Sequence, residues 1–381
     1  MKENYQNSSK ILLISPDFPP PFIGGSLVYM HNLIVNSNLN YDILSNTNNR
    51  NNDNKLKYIE SKYIINSQSP SRYGLIRMYV FIFFLAFRLR KYKVVILNIG
   101  VVGNGLMAYL LNFLNVKTII ISYAEEITMT LFTSGMKSII KKIFLGFYKK
   151  TNGIVSVSNF AKNILIKDIK VSSPIFVIPT PLHNLKHSKT KINSLVIESQ
   201  VLSVGRLIKR KGFSHLISSF KLVLESLPEA KLIIVGDGPD YRHLVDQIEN
   251  LKLGDSVTIL KNINDKQLSK LYSESRLFVL ANLLLDNGDC EGAPNVIVEA
   301  ASFGLPSIAG VEGGTSDVVE NDISGYLINP LDHLVLSEKI IALITDNNLR
   351  NKMSKNCLLK IKKNHNQVVA GQKFRDIVVN I

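Results

Sequence analysis

Leu277-Phe278-Val279-Leu280-Ala281, followed by Glu291-Gly292-Ala293-Pro294-Asn295-Val296-Ile297-Val298-Glu299, reads as a buried strand that passes through a loop into a helix. On one unbroken helix the two glutamates would stand about 12 Å apart and roughly 80° out of register, too far for one small ligand. Gly292 suits a loop and Pro294 the first turn of a helix. Glu291 is therefore assigned to the loop and Glu299 to the helix, with the first-turn amides of Asn295 and Val296 facing whatever lies between them. A helix start with free amides is an anion site, and carboxylates beside it accept hydrogen bonds from hydroxyls. The pair asks for a ligand that is part phosphate and part polyol, and a nucleotide sugar is both.

Working outward, short apolar strands alternate with amphipathic helices along the whole chain. One series of strands is expected at residues 10–15, 94–98, 117–122, 153–156 and 175–178, and a helix near Ser26 follows a Pro-rich loop with Gly24-Gly25. A second series begins at Val201 and continues through residues 231–235, 257–260, 277–280 and 307–309. Such alternation implies parallel sheets covered on both faces. A chain of 381 residues suits two domains rather than one core. The expected domains are 1–185 and 197–363, both Rossmann-like, joined by a polar linker at 186–196 and followed by a C-terminal helix at 364–381 that packs back on the first domain. The Asn-rich run 46–54 reads as a surface loop. No repeat of solenoid period is evident. A dinucleotide dehydrogenase is disfavoured, because no Gly-x-Gly-x-x-Gly follows the first strand with an acidic partner further on.

Hydrophobic content of 46% argues against disorder. The two cysteines, Cys290 and Cys357, have no metal-binding or redox spacing, which points to a reducing compartment. Residues 1–10 are polar and Ile11-Leu12-Leu13-Ile14 is too short for a signal core, so the expected location is the cytoplasm. His183 and His187 alone share a helical spacing, and no third ligand stands beside them, so neither metal nor cofactor is expected.

The net charge of +15 is concentrated in one half. Residues 1–180 carry 21 lysines and arginines against 8 acids, whereas residues 181–381 carry 24 against 22. A basic field attracts nucleic acid or anionic lipid alike, but no nucleic-acid motif accompanies it. An anionic membrane surface is the expected partner. Two segments bear on this: the apolar run 78–87 followed by Arg88, Arg90, Lys91 and Lys93, which is too short to span a bilayer, and the stretch 137–150, where lysines alternate with apolar residues at helical spacing. The first reads more readily as a helix packed on a sheet; the second reads equally as a solvated or a membrane-facing helix.

The stretch from Glu291 to Gly304 resembles the glutamate, seven residues, glutamate motif of the retaining glycosyltransferases of family four. Further matches keep the family's order: Val204-Gly205-Arg206 with Lys211-Gly212 resembles its diphosphate clamp, Val235-Gly236-Asp237-Gly238-Pro239 its second strand and turn, and Gly313-Gly314 with Gly325 its later glycine turns. The likeness is strong over most of 198–330 and weaker in the N-terminal half. It implies the GT-B fold, two Rossmann-like domains facing across a cleft. It further implies that Arg206 and Lys211 grip the diphosphate and stabilise its growing charge, Glu291 contacts the donor sugar or its phosphate, and Glu299 accepts from the ribose hydroxyls. Gly24, Gly25 and Gly236 would approach the donor by their backbone.

Two departures from the family are visible. Pro294 stands where a second glycine is frequent. In Ser122-Tyr123-Ala124-Glu125-Glu126, Tyr123 and Ala124 occupy positions where many relatives carry His and Gly. Tyr123, Glu125 and Glu126 are then candidates for acceptor or sugar contacts, although a tyrosine, with a reference pKa of about 10, is a poor base. The expected activity is metal-independent transfer of a sugar, with retention, from a nucleoside diphosphate sugar to a glycan acceptor, lipid-linked, in surface polysaccharide or lipopolysaccharide assembly at the inner face of the plasma membrane. The alternatives are a nucleotide-sugar epimerase of the same fold and a non-catalytic basic binding protein.

Overall fold

The computed structural model describes residues 11–15, 18, 25–45, 56–60, 84, 87–182 and 197–381. The chain divides into two compact units, Met1–Pro181 with Gln367–Ile381, and Leu182–Asn366.

Unit 1 is a parallel sheet of β1 (Ile11–Ile14), β2 (Tyr41–Ser45), β3 (Leu56–Glu60), β4 (Val94–Leu97), β5 (Lys117–Ser122), β6 (Gly153–Ser156) and β7 (Ile175–Val177), in the order β3-β2-β1-β4-β5-β6-β7. Its helices are α1 (Gly25–Asn36), α2 (Val101–Phe113), α3 (Glu125–Phe132), α4 (Met136–Gly146) and α5 (Asn159–Lys167). β1 and β4 are buried at every position, as continuous apolar runs must be when helices cover both faces of a parallel sheet.

Unit 2 repeats the plan with β8 (Gln200–Val204), β9 (Lys231–Val235), β10 (Val257–Leu260), β11 (Leu277–Leu280), β12 (Ser307–Gly310) and β13 (Gly325–Ile328), in the order β10-β9-β8-β11-β12-β13. Its helices are α6 (Phe213–Ser226), α7 (Tyr241–Asn250), α8 (Asp265–Glu274), α9 (Asn295–Ser302), α10 (His333–Thr345) and α11 (Asn347–Asn364). Two apolar clusters flank the sheet: one gathers Phe220, Leu232 and Leu336, the other Phe278, Ile297 and Cys357. Each fully buried large side chain contributes about 1.5–3 kcal/mol. Several helix starts are fixed locally. Asn264 and Gln267 form a reciprocal cap on α8, and Asp332 and Asp346 accept from Val335 and Leu349 N–H at α10 and α11; such caps are worth about 1 kcal/mol each.

A last helix, α12 (Gln367–Asn380), belongs to unit 1. It lies directly on α1: a side-chain carbon placed at Gly371 would stand 2.3 Å from the Asn36 carbonyl.

The sequence reading located most strands but not β2, β3 or β13. In β3, at a sheet edge, Leu56-Lys57-Tyr58-Ile59-Glu60 mixes charge into its pattern. Gly325, assigned to a turn, instead opens β13, where a side-chain carbon would come within 2.1 Å of Ser307 O on β12. The expected linker 186–196, the Asn-rich run 46–54, Gly24, His183 and His187 lie outside the described residues. Of the segment 78–87 only Phe84 and Phe87 are described, and both are exposed. Among the described residues no helix is long and apolar enough to cross a membrane.

In both sheets the strand order reverses beside the first strand, between β1 and β4 and between β8 and β11. Open α/β sheets bind ligands at the carboxyl ends of the strands at such a switch point.

Candidate active site

In unit 2 the chain leaves β8 at Val204, runs through Gly205 and Arg206, and tightens into one 3-10 turn at Lys209–Lys211 before α6. Gly212 makes the turn fit. Its φ is +67°, and a side-chain carbon there would lie 1.7 Å from Ala281 O, just past β11, so this position demands glycine. Leu283 N–H donates to Arg210 O at 2.8 Å and pins the turn to the chain leaving β11.

The opposite wall is the loop before α9. Cys290 is buried with no exposure, while its neighbours Asp289 and Glu291 face the turn. Residues two apart on extended chain share a side, which is how both acids meet one cation. Arg210 Nε donates to Glu291 Oε1 at 2.8 Å and its Nη1 to Asp289 Oδ1 at 2.7 Å; Lys211 Nζ reaches Glu291 Oε2 at 2.8 Å. Burial pushes the Glu291 carboxyl up, but Lys211 and Arg210 outweigh it and hold the group below the usual carboxylate range. Glu291 is only 5% exposed, and the pairing keeps it ionised. Its main chain is held as well, since Gly314 N–H donates to Glu291 O at 2.7 Å.

Glu299 stands on α9 with different company. Burial pushes its carboxyl up to about 7, while the Tyr272 hydroxyl, donating to Oε2 at 3.0 Å, and the field of Lys211 pull the other way. Lys211 thus acts on both glutamates of the motif, by contact on Glu291 and by field on Glu299. Asn295 and Val296 open α9 after Pro294, both half-buried. Gly236 follows β9 and packs on Gly205: a side-chain carbon there would lie 1.9 Å from Gly205 O, and its N–H is taken by Leu260 O at 2.9 Å.

Arg206 stands apart from this network. It is exposed, and its guanidinium makes no ion pair or hydrogen bond among the described residues. The arginine that joins Lys211 at Glu291 is Arg210, and neither Arg210 nor Asp289 is among the residues that the sequence motif points to. The tight turn brings Arg210 and Lys211 round to the same loop, and Arg206 is left outside it. The available signal was the pair of acids spaced two apart, Asp289 and Glu291, opposite two adjacent cations.

Unit 1 carries the remaining candidates. Gly25 is the exposed first residue of α1. The Tyr123 hydroxyl donates to Ser26 O at 3.3 Å, and its ring meets Tyr29 edge-on at 5.9 Å, so Tyr123 ties the end of β5 to the start of α1. Burial, then the field of Glu126, hold its phenol above the ordinary value, which removes it as a base. Ala124, buried, has φ +78°, the region that favours glycine. Glu125 is half-buried in the first turn of α3. Glu126 points inward: Oε1 accepts from Tyr123 N–H at 3.1 Å and Ser122 Oγ at 3.0 Å, whereas Oε2 is buried without a hydrogen-bond partner. Burial pushes Glu126 up to about 7 against those two bonds.

A basic turn thus meets a glutamate loop at the switch point of a doubly wound sheet. Residues 188–358 match the family described as Glycosyl transferases group 1. The chain is 31% identical over 250 residues to the UDP-Gal:alpha-D-GlcNAc-diphosphoundecaprenol alpha-1,3-galactosyltransferase of Escherichia coli, covering 61% of each chain. It is 26% identical over 258 residues to the amylovoran biosynthesis glycosyltransferase AmsD of Erwinia amylovora, covering 65% of this chain and 70% of that one. Among solved structures, Anabaena HepE in complex with UDP superposes with a TM-score of 0.76 at 16% identity, over 98% of this chain and all of the other. The chain spans less than two thirds of the length of the galactosyltransferase. The fold is GT-B.

Proposed function

We propose that the protein transfers a sugar from a nucleoside diphosphate sugar to a glycan acceptor carried on a lipid, in the assembly of a surface polysaccharide or lipopolysaccharide. The observation that carries this reading is the closed network of Arg210, Lys211, Asp289 and Glu291 at the switch point, with Arg206 exposed beside it. Two cations face two acids, so the network is balanced, and Arg206 brings an unpaired planar fork to the diphosphate. Lys211, held by Glu291 and felt by Glu299, supplies the second positive charge as the bond from sugar to phosphate breaks. Glu291, kept ionised, accepts from the donor sugar. Glu299 accepts from the ribose diol, and Gly236, Asn295 and Val296 frame the donor with backbone.

Cationic side chains at the diphosphate make the transfer independent of metal. Retention follows if the departing diphosphate takes the acceptor proton on the same face, a route that asks for no protein base. The rival is double displacement through Glu125 or Glu126. A trapped glycosyl-enzyme adduct would establish that rival and overturn the direct route. The named activity of the galactosyltransferase and the UDP bound to HepE support a UDP-sugar donor and a polyprenyl diphosphate acceptor.

The first experiment is a thermal shift panel of UDP-, GDP- and ADP-sugars, followed by transfer to a lipid-linked sugar diphosphate. A ligand present at 100 times its Kd stabilises the native state by about 2.7 kcal/mol. One donor class is expected to raise Tm, and Arg206→Ala to abolish the rise. Donor incubated without acceptor should return with its sugar unchanged; an epimerised sugar would overturn the transfer reading.

A further inference from the structure

Helix α4 (Met136–Gly146) turns the usual pattern of a surface helix inside out. Its buried side chains are Ser138 and Leu145, and its backbone at Phe144 lies against Gly105 of α2. At about 100° per residue, with Met136 at zero, Ser138 and Leu145 fall near about 200° and 180°. Ile140, Ile143 and Ile139 fall at about 40°, 340° and 300° on the same wheel, the side facing away from the protein. Met136, Ile139, Ile140 and Ile143 are 79%, 59%, 43% and 55% exposed. Four large apolar side chains on one crest of an eleven-residue helix far exceed the scattered exposure that needs no explanation.

The charges frame that crest. Lys137 and Lys141 fall at about 100° and 140°, on one flank, and Lys142 at about 240°, on the other. All three are exposed. Residues 136–150 contain five lysines and no acid. An apolar ridge with lysines along both flanks places methyl groups in acyl chains and ammonium groups at headgroup level. The helix is about 16 Å long, against a hydrocarbon core of about 30 Å, so it can lie in the interface but not cross it. A second copy docking about a two-fold axis would set these lysines against their own equivalents, which costs energy in every pair. The lysines thus favour an anionic surface over self-association.

We infer that α4 is the membrane-docking surface, with Met136, Ile139, Ile140 and Ile143 seated among acyl chains and Lys137, Lys141 and Lys142 on anionic headgroups. This deepens the reading of a lipid-borne acceptor and rests on it for the purpose of docking, while the geometry of α4 stands apart from the chemistry of unit 2.

The test is flotation of the purified full chain with vesicles, in the absence of donor and acceptor. The chain should float with equal parts phosphatidylglycerol and phosphatidylcholine, stay below with phosphatidylcholine alone, and release as salt rises. The combined variant Lys137→Gln, Lys141→Gln, Lys142→Gln should lose roughly 100-fold in partitioning, at about fivefold per lysine. Ile140→Ser with Ile143→Ser should lose about tenfold or more. These side chains are exposed, so thermal unfolding should be unchanged in every variant. A wild-type chain that ignores both vesicles at low salt overturns the inference, as does a lysine variant that floats as well as the parent. A dimer in solution that the isoleucine variant splits would assign the ridge to a second copy instead. Sugar transfer is measured separately: vesicle binding without transfer leaves α4 as the docking surface and removes the function proposed above, and transfer without binding does the reverse.

Discussion

Glu291 in unit 2 and Glu126 in unit 1 both follow a buried parallel strand, and their surroundings drive them in opposite directions. Glu291 meets two cations and stays ionised below the ordinary range. Glu126 meets a backbone N–H and a serine hydroxyl, keeps one oxygen unpartnered, and rises to about 7. The difference teaches that burial alone does not set the charge of a carboxylate; what decides is whether the fold delivers a countercharge to the same spot. In unit 2 the turn ending at Gly212 delivers two. In unit 1 no cation is within contact of Glu126 among the described residues, and the carboxyl leans towards the neutral form.

The largest break in this contrast comes from removing the partner of the cations. Glu291→Ala leaves Arg210 and Lys211 facing each other with a carboxylate missing between them, and about 3 kcal/mol of stability should go, with transfer falling about 100-fold or more. Arg206→Ala should change stability by less than about 0.5 kcal/mol, yet weaken the donor. Urea unfolding of both variants beside a donor titration reads the pair; equal destabilisation by the two substitutions would show that the exposed arginine shares the network after all.

A smaller effect separates the two carboxylates by pH. Glu126, raised in the folded state, favours folding most below its unfolded value of about 4.5 and loses that contribution as pH climbs through about 7. Glu291, depressed, contributes above the unfolded value and loses its share as pH falls through its folded one. Glu126→Gln should therefore stabilise the protein at pH 8, by about 1 kcal/mol or more, and do little at pH 4. Unfolding midpoints of parent and variant at the two pH values give the sign directly, and a loss at pH 8 would mean that Glu126 has an ionic partner.

The smallest effect is at Ala124, next to Glu126. Its φ of +78° places a methyl where glycine is preferred, so Ala124→Gly should stabilise by up to about 1 kcal/mol despite the added freedom of the unfolded chain. Destabilisation would show that the buried methyl outweighs the strain.

Much of this was legible in the residues, for reasons that differ by region. Buried parallel strands such as Val94–Leu97 and Leu277–Leu280 announce themselves because both faces are covered and every position is apolar. Leu56–Glu60 does not, because charged residues interrupt it, nor does Gly325–Ile328, because its opening glycine reads as a turn. The motif of Glu291 and Glu299 was visible through Gly292 and Pro294, which forbid a single helix. Which arginine meets Glu291 was not, because that depends on how tightly the chain curls before Gly212, and the curl is enforced by Ala281 O, far away in sequence. The outward apolar crest of α4 was ambiguous for a related reason: the mixture of lysine and isoleucine shows in the sequence, but which side turns inward is set by Ser138 and Leu145 meeting the rest of unit 1.

The return of α12 to α1 has a bearing on how the protein is made. The helix carrying Gly371 and the buried Phe374 leaves the ribosome only after the whole of unit 2. During synthesis, then, unit 2 is free to finish folding as an uninterrupted stretch, while α1 waits with one flank bare for its late-arriving cover. Unit 1 begins first and is completed last, and a nascent chain stalled before Gln367 would present that uncovered flank to chaperones.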